Sequence, residues 1–446
     1  MAGLPADATA ATAAIVPTTA PQSARAQSAD HPTATTPILT LDQCIALARE
    51  NSLDLRIAEN ALSSANLSRR ALGAARLPQI KLGGNASASP TFDRFGYDPV
   101  ITDYGQIAGQ IIAEQTLYDG GAYRLKTKQA QLDIESLTLA RRIAERDLVY
   151  TVKQIFIEIL RAKEEIGLRR QSLSRLADYL NLVKNLYGGA QASYTDVLKT
   201  EIQLSSANAA LLSTTEALAL GKYELSEMIG AEPDTAFDVR GALDSLIAAR
   251  TNAIPPGTDT AAAGLVKSLE SKSNDLAVAR SDIDIAITHR EKYPTVSLLA
   301  DAGLLTSLEN PDLEERMNHV GYSAGIILEL PLVDWGQRSL REREQRLAAQ
   351  DARYRARAYE RSLAREVRSL TLQIETLERG LSDLRTRAKR AEENFVLTKS
   401  KYVGGAAPAT EVLEAQQLIT DTRLEELQAR ADILKLTARI EQILAR

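Results

Sequence analysis

Residues 402–415 read YVGGAAPATEVLEA, and residues 187–200 read YGGAQASYTDVLKT. Tyr187 and Tyr402 stand 215 positions apart (402 − 187), and the same step carries Thr195 onto Thr410, Val197 onto Val412 and Leu198 onto Leu413. It also carries Asp119 and Gly121 of LYDGG onto Asp334 and Gly336 of LVDWG. With one residue of slip, Ser52-Leu53-Asp54 falls on Ser268-Leu269-Glu270, and Pro78 of LPQIKL on Pro294 of YPTVSL. Chance does not hold a register over that span. The chain is a duplication of one long unit, and a repeat decides the fold before any motif does.

Each unit has the same order. An amphipathic helical segment comes first, about 41–76 and 261–292, and a proline ends it. Alternation of period two follows. Ile80, Leu82, Ala86 and Ala88 oppose Gln79, Lys81, Asn85 and Ser87, and Val296, Leu298, Ala300 and Ala302 oppose Thr295, Ser297 and Asp301. After a Gly/Pro/Asp-containing loop it resumes at 320–332, and less cleanly at 106–117. These are strands of about ten residues paired as hairpins.

The pattern then becomes helical, and no proline interrupts it from Pro99 to Pro233 or from Pro331 to Pro408. Asp119 and Asp334 stand where a carboxylate can cap the start. From there to the repeated phrase is roughly 66 residues, or about 100 Å of helix. Val152, Ile159, Ile166, Leu173, Leu180 and Tyr187 recur every seven residues, as do Val367, Ile374, Leu381, Ala388, Phe395 and Tyr402. A sustained heptad predicts coiled-coil packing. The repeated phrase is then the tip of an antiparallel helix pair: Gly188-Gly189 and Gly404-Gly405 stop one helix, and Ser193 or Thr195, and Thr410, cap its return.

The division that follows is an arm or signal remnant over 1–40, a first repeat over 41–230 (β-hairpin 78–117, α-hairpin 119–230), a linker over 231–260, and a second repeat over 261–446 (β-hairpin 294–332, α-hairpin 334–446). The Ala/Thr/Pro-rich arm should be disordered. It lacks a basic start and an apolar stretch, yet Ala24-Arg25-Ala26 resembles a small-residue cleavage site, so a signal remnant and a plain flexible arm both stay open.

Composition excludes several classes. A net charge of −5 argues against a nucleic-acid binder. One cysteine, Cys44, excludes an internal disulfide and a cysteine zinc site, and its place in an apolar helical stretch reads as core. With three scattered histidines, no phosphate loop and no nucleophile–base pairing, neither an enzyme nor a cofactor is expected. The Arg-rich runs at 338–346 and 385–390 read as solvated coiled-coil faces. No apolar run is long enough for a transmembrane helix, so any membrane span must be a barrel. Four strands cannot close one, but three copies would supply twelve, an even number that outer-membrane barrels use. Trp335 and Tyr118, just past strand ends, suit a membrane–water interface.

On these features the chain resembles the TolC-like outer-membrane efflux protein family over about residues 40–446. The carriers are the duplicated unit, the LPQIKL-type strand entry, the L-x-D-x-G junction, and the Gly-containing tip followed by Asp/Glu-Val-Leu. The resemblance implies a mostly α, mixed α+β membrane protein: four transmembrane strands and two very long α-helical coiled-coil hairpins per chain. Three chains would form a twelve-stranded β-barrel continuing into a periplasmic α-helical tunnel. It implies a passive exit duct in the outer membrane of a Gram-negative bacterium, its partners a periplasmic adaptor, an inner-membrane RND or ABC transporter, and outer-membrane lipid. Cargo would be chosen by the pump, so drug, metal and protein export all stay open.

The resemblance also assigns sites. Gly188, Gly189, Ala190, Gly404, Gly405 and Ala406 would be adaptor-docking tips, although Ala190 stands where family members usually have Gly. Glu411 and Glu414, three apart and so on one helical face, would ring the aperture and favour cations. Thr195, Asp196 and Tyr402 match tip-closure contacts, whereas the family's Arg position holds Ala407. The rival reading is a periplasmic coiled-coil adaptor or scaffold without a barrel. It would carry one hairpin flanked by other β-domains, not a duplication with four strands.

Overall fold

The computed structural model describes residues 37–87, 106–232, 237–250, 268–307 and 319–444. The arm before residue 37, its Ala24-Arg25-Ala26, the strand-connecting loops, the linker residues 251–260 and the first residues, 261–267, of the expected helical segment 261–292 lie outside the described residues.

The duplication is visible element by element. Helix α2 (Leu53–Ala74) and its counterpart α6 (Leu269–Arg290) are each 22 residues, N-capped by Ser52 and Ser268. The long helices α3 (Ala122–Gly188) and α7 (Gln337–Val403) are each 67 residues. The returning helices α4 (Tyr194–Ile229) and α8 (Ala409–Leu444) are each 36. Proline-free runs with apolar heptads give such lengths because packing, not propensity, sustains a long helix. Of the first heptad set, Val152, Ile159, Ile166 and Leu180 are buried; of the second, Val367, Ile374, Ala388 and Tyr402 are. Tyr187 departs from the pattern: it is half-exposed and packs on Tyr194 with ring centroids 5.7 Å apart.

Strands β2 (Gln79–Ser87), β3 (Gln106–Asp119), β5 (Thr295–Ser307) and β6 (His319–Glu329) form one antiparallel sheet in the order β2-β3-β5-β6. The register puts Leu82 beside Ile111, Ile111 beside Ala302, and Ala302 beside Tyr322. One face therefore carries Ile80, Leu82, Ile107, Leu304, Val320, Tyr322 and Ile326, all exposed. The other carries Lys81, Glu114, Asp301 and Ser323, with a Lys81–Glu114 pair at 4.0 Å and a Ser323–Asp301 hydrogen bond.

Below the sheet, α3 lies at the centre. It packs on α2 and α4 of its own repeat and on α6 and α8 of the other. Helix α7 packs chiefly on α6 and α8. A belt seals the middle, where Phe156, Ile159 and Leu160 of α3 meet Leu225 of α4, Leu427 of α8 and Leu243 of α5 (Leu243–Arg250). Cys44 is fully buried there, as its apolar setting implied, and burial pushes its thiol up to about 11.

Several expectations need correction. The segment 41–76 is two helices, α1 (Leu41–Asn51) and α2. Ser52 breaks it by leaving helical angles and capping the Leu55 N–H. The arm's last residues are ordered: β1 (Ile38–Leu39) pairs in parallel with β4 (Asp238–Val239) of the inter-repeat segment. Asp119 and Asp334 are not themselves the N-caps. Gly121 and Gly336 hold that place with φ of 86° and 84°. The carboxylates reach over them, Asp119 accepting from the Gly121 and Tyr123 N–H groups and Asp334 from those of Gly336 and Arg338. The capping chemistry is as expected, two positions early. Ser193 alone caps α4; Thr195 and Thr410 lie inside the first turns.

Candidate functional site

The repeated phrase forms the two turns at the end of the molecule away from the sheet. Both are closed in the same way. The Gln191 N–H donates to the Leu186 carbonyl (2.8 Å) and the Ala190 N–H to that of Tyr187 (3.0 Å). In the second turn the Ala406 N–H donates to Lys401 (2.8 Å) and the Gly405 N–H to Tyr402 (2.9 Å). This double closure requires a left-handed residue just past the helix. Gly405 takes it with φ 72°, and in the first turn it falls to Ala190, φ 57°. The glycine pairs therefore do not stop both helices: Gly188, Gly189 and Gly404 are not left-handed, and at the first tip the strained position belongs to an alanine.

The two turns are packed side by side. Tyr179, Leu180 and Val183 of α3, Val197 of α4, Tyr402 of α7 and Val412 of α8 form one buried cluster. Tyr402 meets Tyr179 edge-on, centroids 5.6 Å apart, and both hydroxyls are buried with no well-aligned hydrogen-bond partner among the described residues. Burial pushes the Tyr179 hydroxyl well above the ordinary tyrosine range, with Tyr402 and the Asp196 charge adding to it. Tyr402 is raised by burial and then by Asp196. Asp196 is also engaged with Ser193 in a capping box. Of the three expected closure residues, Tyr402 and Asp196 come together around Tyr179, and Thr195 stays exposed. Tyr179 was missed because it sits one place before the heptad residue Leu180.

Glu411 and Glu414 are exposed on one side of the first turns of α8, opposite the buried Val412 and Ala415. Behind them the α3–α8 seam is polar. Arg175 donates to Gln416 (3.1 Å), and Gln416 and Thr420 both donate to Ser172. Heptad reading does not find such a seam, because it registers only apolar recurrence.

At the sheet end, Trp335 is 94% exposed and left-handed, φ 52°, at the position where the first repeat has Gly120. A left-handed tryptophan costs about 1–3 kcal/mol, and here it faces outward just past the apolar sheet face. Among the described residues there is no group of His, Cys, Asp and Glu able to hold a metal ion, and no helix long and apolar enough to cross a membrane.

Comparison with known proteins agrees with this geometry. The family described as "Outer membrane efflux protein" matches residues 44–231 and 265–446, one block per repeat. The chain is 26% identical to the pyoverdine export outer membrane protein OpmQ of Pseudomonas aeruginosa over 420 residues, 89% of this chain and 84% of that one. The fold matches CusC with a TM-score of 0.76 at 16% identity, covering 91% of each chain. It matches VceC of Vibrio cholerae with 0.73 at 17%, covering 91% of this chain and 95% of that one. Channels of this family are trimers that work with adaptors and inner-membrane pumps, and they are not enzymes. With the family match running over both repeats, the chain belongs to the outer membrane efflux protein family: it is a bacterial outer-membrane efflux channel whose helical part extends into the periplasm.

Proposed function

We propose that three copies of this chain close head to tail into a passive exit duct, fed by a periplasmic adaptor and an inner-membrane pump. The observation that carries this is the pair of open sheet edges. β3 and β5 are paired on both sides, whereas β2 and β6 each leave one edge without a strand partner among the described residues. Bare edges alongside an exposed apolar face are a liability in water, and a closed ring in lipid removes it. The β3–β5 joint already pairs the second strand of one repeat with the first strand of the next. Pairing β6 with the β2 of a neighbouring copy repeats that joint, and three copies give twelve strands. The apolar face then meets lipid, with Trp335 and Tyr118 at its border, and the polar face lines the lumen.

At the other end the two turns are the adaptor-docking surface. Gly188, Gly189, Ala190, Gly404, Gly405 and Ala406 present backbone and methyl groups there, which lets a partner helix approach closely. Glu411 and Glu414 from three copies ring the aperture with six carboxylates and favour cations. Tyr402 and Asp196, drawn together around Tyr179, hold the two turns closed, with Thr195 on the rim. Changing Glu411 and Glu414 together to Gln should reduce the cation preference of the channel in planar bilayers. Unchanged selectivity would remove the acidic aperture.

A further inference from the structure

Resting on the ring just proposed, we infer that Arg361 of one copy forms an ion pair with Asp54 of the next, closing each of the three seams on the barrel side of the long helices' midpoint. The inference comes from a joint that the chain already makes once within itself. Arg146 of α3 pairs with Glu270, in the first turn of α6, and its side chain is only 11% exposed. Arg146 and Arg361 are equivalent under the internal repeat, as are Glu270 and Asp54. The first pair is made inside the chain, between repeat one and repeat two. The second needs repeat two of one chain and repeat one of another.

The surroundings point the same way. Leu269, beside Glu270, is 2% exposed, whereas its counterpart Leu53, beside Asp54, is 70% exposed. Ile283 of α6 is 6% exposed and its counterpart Leu67 of α2 is 62% exposed. On the other partner, Ile157 of α3 is 5% exposed and its counterpart Leu372 of α7 is 55% exposed. The same sequence positions are covered in one repeat and bare in the other. What covers them in the first case is a helix of this same chain, so what fits the bare ones is a second copy.

Charge complements shape. Arg357, Arg361, Arg365 and Arg368 lie at i, i+4, i+8 and i+11 on α7, on one face of the helix, and all four are exposed. They correspond to Arg142, Arg146, Tyr150 and Lys153 on α3. Lys153 there pairs with Glu441 at 2.6 Å, in the same seam as Arg146 and Glu270. Neither Arg361 nor Asp54 has an ion-pair or hydrogen-bond partner among the described residues through its side chain. Ion pairs placed this way fix register and partner more than they add affinity, which is what a seam between near-identical long helices needs.

The test is a charge swap in the full-length protein, extracted in detergent, with the trimer fraction read by light scattering across a dilution series. Arg361→Glu and Asp54→Arg, made singly, should each weaken association by more than roughly tenfold, since each sets like charges across the seam. The double variant should return to the parent curve. Loss of the acidic first-turn residue of α2 could weaken Asp54→Arg alone, but it cannot produce rescue by Arg361→Glu. If the single variants stay trimeric, or the double variant is worse than either, the pair is overturned and the ring stands. If the parent chain itself is not a trimer, the ring and the pair fall together.

Discussion

At the scale of single residues, the two tips show how one backbone requirement meets two side chains. The left-handed position after each long helix is Gly405 in one turn and Ala190 in the other. A β-carbon at Gly405 would meet nothing within 4 Å, so the cost of an alanine there is backbone strain and not a clash. Ala190→Gly should therefore stabilise the first tip by about 0.5–1 kcal/mol, strain relief offsetting the added freedom of the unfolded chain. Gly405→Ala should destabilise the second by a similar amount. Amide exchange of the tip residues checks both, and faster exchange in Ala190→Gly would contradict the assignment. The sequence announced the turn but not its strained residue. The glycine pair draws attention to positions 188 and 189, while the requirement is counted from the last closing hydrogen bond, which no side chain marks. The strain at Trp335 was legible by aligning the repeats, since it stands opposite Gly120.

At the scale of elements, the strand-to-helix junctions carry a conserved mechanism within the chain: an aspartate reaching over a left-handed glycine to the first turn. Two N–H donors and the Arg338 guanidinium hold the Asp334 carboxyl down at about 2, the Arg338 backbone N–H being the largest influence. A depressed carboxyl stabilises the fold above its unfolded value near 3.8 and loses that contribution as pH falls through about 2. Asp334→Asn should lower the melting temperature at pH 7, and the gap to the parent should close toward pH 2. A gap that persists at pH 2 would show that the charge is not what caps α7. Strands and long helices were legible because period two and period seven are strong signals. The break at Ser52 was missed because the apolar pattern runs straight through it, and only the local cap of Leu55 marks it.

At the scale of the whole molecule, the duplication gave the architecture. It fixed how many strands and hairpins one chain has and which surfaces of each repeat lack the cover that their counterparts in the other repeat possess. Less legible were the joints themselves. The polar α3–α8 seam through Ser172, Arg175, Gln416 and Thr420 has no periodic signature, and the closure of the two tips around Tyr179 depends on four helices that meet only in three dimensions. The ring is the claim on which the docking tips, the aperture and the Arg361–Asp54 seam all depend. The most direct test is the mass of the detergent-extracted protein by light scattering, with bound detergent subtracted. The account predicts three chain masses, recovered only with detergent. A monomer or dimer that stays in solution without detergent would contradict it.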